Sequence, residues 1–276
     1  MNFFEERAPC KANLYLDVVG RRADGYHAIE SVMVTLPLCD KVTIKASDSL
    51  TVRMTTPLPE RDNLAYKAAT LFFEKAGVGA GAEIFIEKRI PERAGLGGGS
   101  ADAAAVLRGL NKLCGEPLTL RELSGMSLPL GADVPFCVAG GAALCRGVGE
   151  EMTPIACALE LHGLVTSERA EKRSTADAYR MVDEAKCRLS PQASAADAAV
   201  ALEAGDLDAL AKRAYNIFGE ACGYPTEARE ILSSLGAPFV LMSGAGPSVV
   251  ALVKSKKDAE SLGAKLKKYN YDSFCF

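Results

Sequence analysis

The stretch Ile90-Pro91-Glu92-Arg93-Ala94-Gly95-Leu96-Gly97-Gly98-Gly99-Ser100-Ala101-Asp102-Ala103-Ala104 sets four glycines within five residues, between two segments of different periodicity. Glycine lets the backbone take φ > 0 and lets another group approach closely. Upstream, Glu83 to Arg89 alternates in polarity with Ile84 and Ile86 on one face, which predicts a strand. Downstream, Ala103, Val106, Leu107, Leu110 and Leu113 recur at helical spacing, and Ser100 is the expected N-cap. A strand, a glycine loop and a helix N-terminus together gather free N–H groups at the positive end of a helix dipole. That combination predicts an anion site of the kind that cradles phosphate.

Two common glycine loops do not fit. A Walker-type loop needs Lys and then Ser/Thr after its last glycine, whereas Ser100 follows Gly99 directly. The dinucleotide fingerprint needs a third glycine where Ser100 stands, and an acidic residue ending a second strand about 20 residues later. An oxidoreductase reading would therefore rest on Gly95 and Gly97 alone.

The whole chain narrows the classes further. Its 276 residues suffice for two modest domains, and 49% hydrophobic with 24% charged residues is ordinary for a globular protein. With 32 basic against 35 acidic residues the formal charge is −3 and no basic tract stands out, so nucleic acid is not an expected partner. No apolar run reaches the roughly 18 residues of a membrane span, and Glu5, Glu6 and Arg7 near the start do not resemble a signal-peptide core. The nine cysteines form no C-x-x-C pair. Reduced thiols used as small hydrophobes in a cytoplasmic protein are the expectation.

Away from the loop, Arg7 to Val19 reads as a strand with Lys11, Asn13, Tyr15 and Asp17 on one face. A lysine inside a strand, between Cys10 and Ala12, asks either for an anionic partner or for an escape to solvent. Gly20 to His27 is a charged turn that sets Tyr26 beside His27, a pair able to stack on and hydrogen-bond a planar base or simply to close a hairpin. Strands are predicted at 29–36, 41–46 and 50–55, and a helix opening at Asp62 and ending near Gly77. Thr119-Leu120-Arg121-Glu122 is a capping box. Asp133 precedes the apolar run 134–139, which reads as a strand, and an acid in such surroundings suits a general base or a backbone cap. Beyond a boundary near Thr153-Pro154-Ile155, a strand is predicted at 159–166 and helices at 174–181, 197–204, 207–222 and 226–235. A strand at 239–242 and another at 249–253 flank the turn Ser243-Gly244-Ala245-Gly246-Pro247-Ser248, and a basic helix at 257–268 follows.

These pieces resemble the GHMP family of small-molecule kinases over essentially the full length. The resemblance is carried by the strand with Lys11, by Pro91 to Ser100 in the form P-x-x-x-G-L-G-G-G-S, and by Ser243-Gly244-Ala245-Gly246-Pro247. It implies an α+β fold of two domains, 1–155 and 156–276. The first would be a mixed α/β domain with a left-handed βαβ unit, an exception to the usual handedness, and the second a ferredoxin-like α/β sandwich. Periodicity alone yields only a mixed α/β chain in two parts.

The same resemblance implies ATP-dependent phosphorylation of an alcohol, with Asp133 as general base and Lys11 as its charge partner. ATP would be held by Pro91, Glu92, Arg93, Ala94, Gly95, Leu96, Gly97, Gly98, Gly99, Ser100 and Ala101, with Asn63 and Lys88 near the nucleotide. Mg²⁺ would arrive with ATP, within reach of the Ser100 hydroxyl. The segments Ala12-Asn13-Leu14, Arg22 to His27 and Leu130 to Pro135 imply a cytidine diphosphate-linked polyol as acceptor, contacted by Asn13, Tyr26, His27, Thr175 and Tyr179. A monomer or weak homodimer is expected. Glu168-Arg169-Ala170-Glu171-Lys172-Arg173 departs from the apolar, proline-containing run usual at this place, and gives a motive for one alternative, a family kinase for another alcohol of the homoserine or mevalonate type. A separate alternative is a catalytically silent nucleotide binder that keeps only the loop.

Overall fold

Lys11 sits in a strand that is buried on both faces, because Cys10 to Leu16 are all at most 5% exposed. The computed structural model describes residues 3–56, 58–59, 62–79, 81–170, 174–185 and 193–276. The chain divides into two compact units that interleave along the sequence. The long strands β1 (Phe3–Arg21) and β2 (His27–Ser47) lend residues to both. No helix among the described residues is long and apolar enough to cross a membrane.

The first unit comprises Met1–Lys11, Pro37–Glu92 and Gly97–Gly140. Here β3 (Thr51–Met54), α1 (Leu64–Ala76) and β4 (Gly81–Glu87) form a βαβ unit with β3 and β4 parallel neighbours. β4 also pairs antiparallel with β2, with Lys41 opposite Glu87 and Ile44 opposite Ile84. The helix after the glycine loop is α2 (Gly98–Leu113), which packs on α1, and on α3 (Leu120–Ser127) and α4 (Val134–Ala139). Ile44, Ile84, Ile86, Phe72, Leu107, Leu110 and Phe136 are all but solvent-free and form its core. Each such side chain is worth about 1.5–3 kcal/mol in burial.

The second unit comprises Ala12–Leu36, Arg93–Leu96 and Gly141–Phe276. β5 (Ala142–Arg146) pairs antiparallel with β2, Val32 opposite Leu144, and β6 (Glu151–Pro154) pairs with β5. A second sheet is antiparallel throughout: β7 (His162–Ser167), β9 (Phe239–Met242), β10 (Ser248–Val253) and β11 (Phe274–Cys275) run in the order β11-β7-β10-β9. Leu164, Val249 and Ala251 of this sheet share a core with Ala228 and Leu232 of α9 (Glu227–Ser234) and Leu262 and Leu266 of α10 (Lys256–Lys267).

Several sequence expectations are corrected. Residues 134–139 are a helix, not a strand. Pro135 fits the first helical turn, where its missing N–H costs nothing, and a six-residue apolar run carries no periodicity to separate the two. The two strands expected at 29–36 and 41–46 are one, β2. After α6 (Ala195–Glu203), the helix expected over 207–222 breaks into α7 (Leu207–Ala211), the two-residue β8 (Tyr215–Asn216) and α8 (Ile217–Ala221), with Tyr215 paired to Tyr15 of β1. Asn63 rather than Asp62 caps α1, and Gly97 rather than Ser100 holds the N-cap place of α2. The Thr119 capping box, the Gly77 helix end and the β9–β10 hairpin stand as expected.

Candidate active site

The first unit gathers the ionisable groups. Lys11 on β1 places Nζ 3.5 Å from Oδ2 of Asp133; the lysine side chain is 6% exposed and the carboxylate 32%. Asp133 immediately precedes α4 and its side chain makes no cap bond there, so the carboxylate is not committed to the helix end. Arg108 on α2 holds both carriers: its guanidinium donates to the carbonyl of Cys137 in α4 (2.8 Å) and to that of Arg7 in β1 (2.9 Å). Lys112, one turn on, pairs with Glu6 at 2.6 Å. The two thiols nearby are poor nucleophiles. Burial, reinforced by Asp40, pushes Cys10 up to about 12, and burial with Asp133 raises Cys137 further.

Gly97 connects this pair to the loop. Its φ is +67°, and a Cβ there would lie 3.0 Å from Lys11 Cγ and 3.6 Å from Asp133 Oδ2. Only glycine combines that conformation with so close an approach. No side chain caps α2 at Gly97; the carbonyl of Gly97 already accepts from Ala101 N at 2.8 Å. The amides of its first turn are thus available for an anion. Ser100 lies in that turn, half-buried, and Gly99 is exposed.

Asn63 lies 4% exposed at the N-terminus of α1, where its Oδ1 accepts from Ala65 N at 2.9 Å and its Nδ2 points to Met54 sulfur at 3.6 Å. Its neighbour Leu64 packs against Gly99. Lys88 is committed to carboxylates: Nζ is 2.5 Å from Asp40 Oδ2 and 2.6 Å from Asp102 Oδ2. Burial lowers the lysine, yet Asp102 and Asp40 together raise it overall. For Asp102 burial dominates over the pull of Lys88 and, with Asp40 adding to the rise, brings it up to about 7. Asp40 and Asp102 escaped sequence reasoning; the one available signal was a carboxylate set among small apolar residues of a helix.

In the second unit, Ala94 and Gly95 of the loop meet the turn 243–248. Ser248 N donates to Ala94 O (3.1 Å) and Ser243 Oγ to Gly95 O (3.1 Å). Gly95 has φ +81° and a Cβ there would strike the Ser243 carbonyl. Asn13 is 1% exposed and knits this region: Nδ2 donates to Ser31 Oγ (2.8 Å) and Oδ1 accepts from Gly244 N (3.1 Å). Asn216 adds two bonds nearby, donating to Met242 O at the end of β9 (2.6 Å) and to Gly244 O of the turn (2.9 Å).

Of the aromatic pair, His27 stacks on Tyr179 with ring centroids 4.5 Å apart and 16° between planes, and Tyr179 meets Phe218 edge-on at 5.0 Å. Asp183, a residue sequence reasoning missed, sits 2.8 Å from His27 Nε2. Tyr26 is 66% exposed and stands apart from this stack. Thr175 is exposed at the start of α5 (Thr175–Ala185), one turn before Tyr179. In the unusual 168–173 run, the buried Glu168 accepts from Ala228 N (3.0 Å) and Arg229 N (3.2 Å) at the start of α9. Arg169 lies over the Tyr271 ring at 4.2 Å. Residues 171–173 lie outside those described.

The family models "GHMP kinases N terminal domain" and "GHMP kinases C terminal" match residues 63–141 and 198–272. A relative from Alkaliphilus metalliredigens named 4-diphosphocytidyl-2-C-methyl-D-erythritol kinase is 39% identical over 263 residues, 92% of this chain and 89% of its own. The crystal structure of a 4-(cytidine 5'-diphospho)-2C-methyl-D-erythritol kinase superposes with a TM-score of 0.83 at 34% identity, covering 99% of this chain and 98% of that one. Homoserine kinase from Cytophaga hutchinsonii shares the fold, with a TM-score of 0.74 at 20% identity over 100% of this chain and 94% of its own. The chain belongs to the GHMP kinase family, whose phosphoryl donor is ATP.

Proposed function

We propose that this protein transfers the γ-phosphoryl group of ATP to the 2-hydroxyl of 4-diphosphocytidyl-2-C-methyl-D-erythritol, a step of the non-mevalonate route to isoprenoid precursors. The observation that carries the reading is the Lys11–Asp133 pair at 3.5 Å, packed against Gly97 at the uncapped end of α2. The substrate follows from the relatives' activity and is supported by the His27–Tyr179 stack, which suits a pyrimidine.

In this mechanism Asp133 takes the proton from the acceptor hydroxyl as its oxygen attacks the γ-phosphorus. The bond from that phosphorus to the bridging oxygen breaks, and ADP leaves. Lys11 and the first-turn amides of α2 meet the charge on the transferring group, which is where phosphoryl transfer needs help most. Pro91 to Ala101 form the cradle, with Asn63 and Lys88 as nucleotide-side residues. Asn13, Tyr26, His27, Thr175 and Tyr179 serve the cytidine-linked acceptor. Residues 1–155 and 156–276 are the family's two domains in this reading.

No cluster of three His, Cys, Asp or Glu side chains suited to a metal occurs among the described residues. In this reading Mg²⁺ would arrive with the nucleotide, with the Ser100 hydroxyl as its protein contact, and would supply charge neutralisation. The balanced charge of −3 supports a small-molecule partner rather than nucleic acid. A cytoplasmic monomer or weak homodimer belongs to the same reading. Glu168 and Arg169 are engaged in holding α9 and the Tyr271 segment, so those two residues give no motive for a different alcohol. The test is phosphorus NMR of the product formed from ATP and the cytidine-linked alcohol, with homoserine and mevalonate as controls.

A further inference from the structure

After β4 ends at Glu87, the chain leaves its ladder before entering the glycine loop, and three backbone amides need new acceptors. Thr55 Oγ1 takes the N–H of Lys88 at 2.9 Å. Asp40 takes the next two with one oxygen: Oδ1 accepts from Ile90 N at 2.8 Å and also from Arg89 N. Its other oxygen accepts from Lys88 Nζ at 2.5 Å, and the same ammonium reaches Asp102 Oδ2 at 2.6 Å. Asp102 lies in the first turns of α2, and a Cβ on Gly98 would stand 3.6 Å from Lys88 Nζ. One carboxylate on β2 thereby grips the entry to the loop directly and its exit through a single lysine.

This cluster is deeply buried, with side-chain exposures of 0% for Asp40, 8% for Lys88 and 3% for Asp102. Asp102 Oδ1 has no hydrogen-bond partner among the described residues. Burying three such groups seldom stabilises a protein more than an apolar cluster of the same volume does, so fold stability alone explains it poorly. What it supplies is a fixed spacing between the end of β4 and the start of α2, which is the mouth of the glycine loop.

We infer that Asp40 is a positioning residue for the nucleotide loop, holding both of its ends through the Arg89 and Ile90 amides and the Lys88–Asp102 link. The inference rests on the ATP-kinase reading, since it concerns how that nucleotide is gripped. Asp40 touches neither nucleotide nor acceptor in this account. Its loss therefore acts on ATP and not on the alcohol.

The test is Asp40→Asn, with ATP and alcohol kinetics and hydrogen exchange read on the same folded preparation. The KM for ATP rises at least tenfold, the KM for the alcohol stays within twofold, and exchange quickens in peptides covering 88–103 while 248–253 is unchanged. An ATP KM within twofold of the parent, or a parallel rise of both KM values, overturns the inference. If Asp40→Asn does not fold, Asp102→Ala carries the test: it cuts the link from Lys88 to α2 and leaves both amides on Asp40. A fivefold or greater rise in the ATP KM with faster exchange over 98–103 supports the inference, and parent-like values overturn it. A parent chain that binds no ATP overturns both this inference and the kinase reading. A parent that binds ATP without phosphorylating the cytidine-linked alcohol overturns only the acceptor assignment, and ATP affinity then takes the place of KM.

Discussion

Lys11 Nζ and Asp133 Oδ2 stand 3.5 Å apart although 122 positions of sequence separate residue 11 from residue 133. Arg108 reaches the carbonyls of Arg7 and Cys137, so the two elements that carry the pair are tied to one helix. The carboxylate keeps 32% exposure while the ammonium is enclosed, which leaves the acid open to an incoming hydroxyl. Asp133→Asn preserves the shape and removes the base. Turnover should fall by about 10²–10⁴-fold with ATP affinity within a few-fold of the parent, as read by steady-state kinetics beside a nucleotide titration. An unchanged rate removes Asp133 from the mechanism.

Gly95 is constrained twice, by φ +81° and by the Ser243 carbonyl that a Cβ would strike. Gly95→Ala should cost about 1–3 kcal/mol from left-handed strain and overpacking together. Urea unfolding measures this directly, and a cost indistinguishable from zero would show that the loop relaxes without penalty.

The Asp102 carboxyl, brought up to about 7 by burial against the pull of Lys88, makes stability depend on pH. Between the ordinary carboxylate range and about 7 the folded chain holds a proton that the unfolded chain has lost. Stability from this group therefore falls as pH rises through that window, and the loss is complete above it. Lys88 acts at the other end: its folded value is raised, so its contribution is present below the ordinary lysine value and lost as pH climbs through the folded one. Asp102→Asn should flatten the acid-side slope in denaturant melts between pH 4 and 8. A slope identical to the parent's assigns the dependence elsewhere.

The first two residues of the 168–173 run serve the fold. Glu168 accepts from two amides at the start of α9, so Glu168→Ala leaves both donors unpaired, that of Ala228 fully buried. That should cost about 1–3 kcal/mol in thermal or urea unfolding, with both KM values unchanged below the transition. A selective rise in the KM for the alcohol would instead place Glu168 in substrate recognition.

Tyr179 carries the other half of the reading. Tyr179→Ala removes the ring stacked on His27 at 4.5 Å. The KM for the cytidine-linked alcohol should rise at least tenfold while that for ATP holds within twofold. Equal shifts in both would detach the stack from the acceptor.

Much of this was legible in the residues themselves. The glycine loop, its strand and its helix and the Thr119 capping box follow from local patterns of spacing and polarity. For Lys11 the pattern allowed both an anionic partner and an escape to solvent, and the structure buries it. What escaped is what depends on distance along the chain. Asp40 looks like an ordinary polar interruption of β2 until Lys88 and the amides of 89 and 90 meet it. Asp183 on α5 looks like a solvated helix residue until His27 reaches it. The run 134–139 misled because an apolar hexapeptide serves strand and helix alike, and its proline was the better guide. Residues 207–222 misled because Asn216 interrupts a helical pattern by capping α8 with one side-chain atom and gripping the 243–248 turn with the other.

The most direct measurement is product analysis with the intact protein, ATP·Mg²⁺ and 4-diphosphocytidyl-2-C-methyl-D-erythritol, followed by phosphorus NMR and ADP release. The kinase assignment requires one new phosphate monoester on the 2-hydroxyl for each ADP formed, and no turnover of homoserine or mevalonate. Turnover of either of those alcohols with the cytidine-linked one left untouched would contradict it.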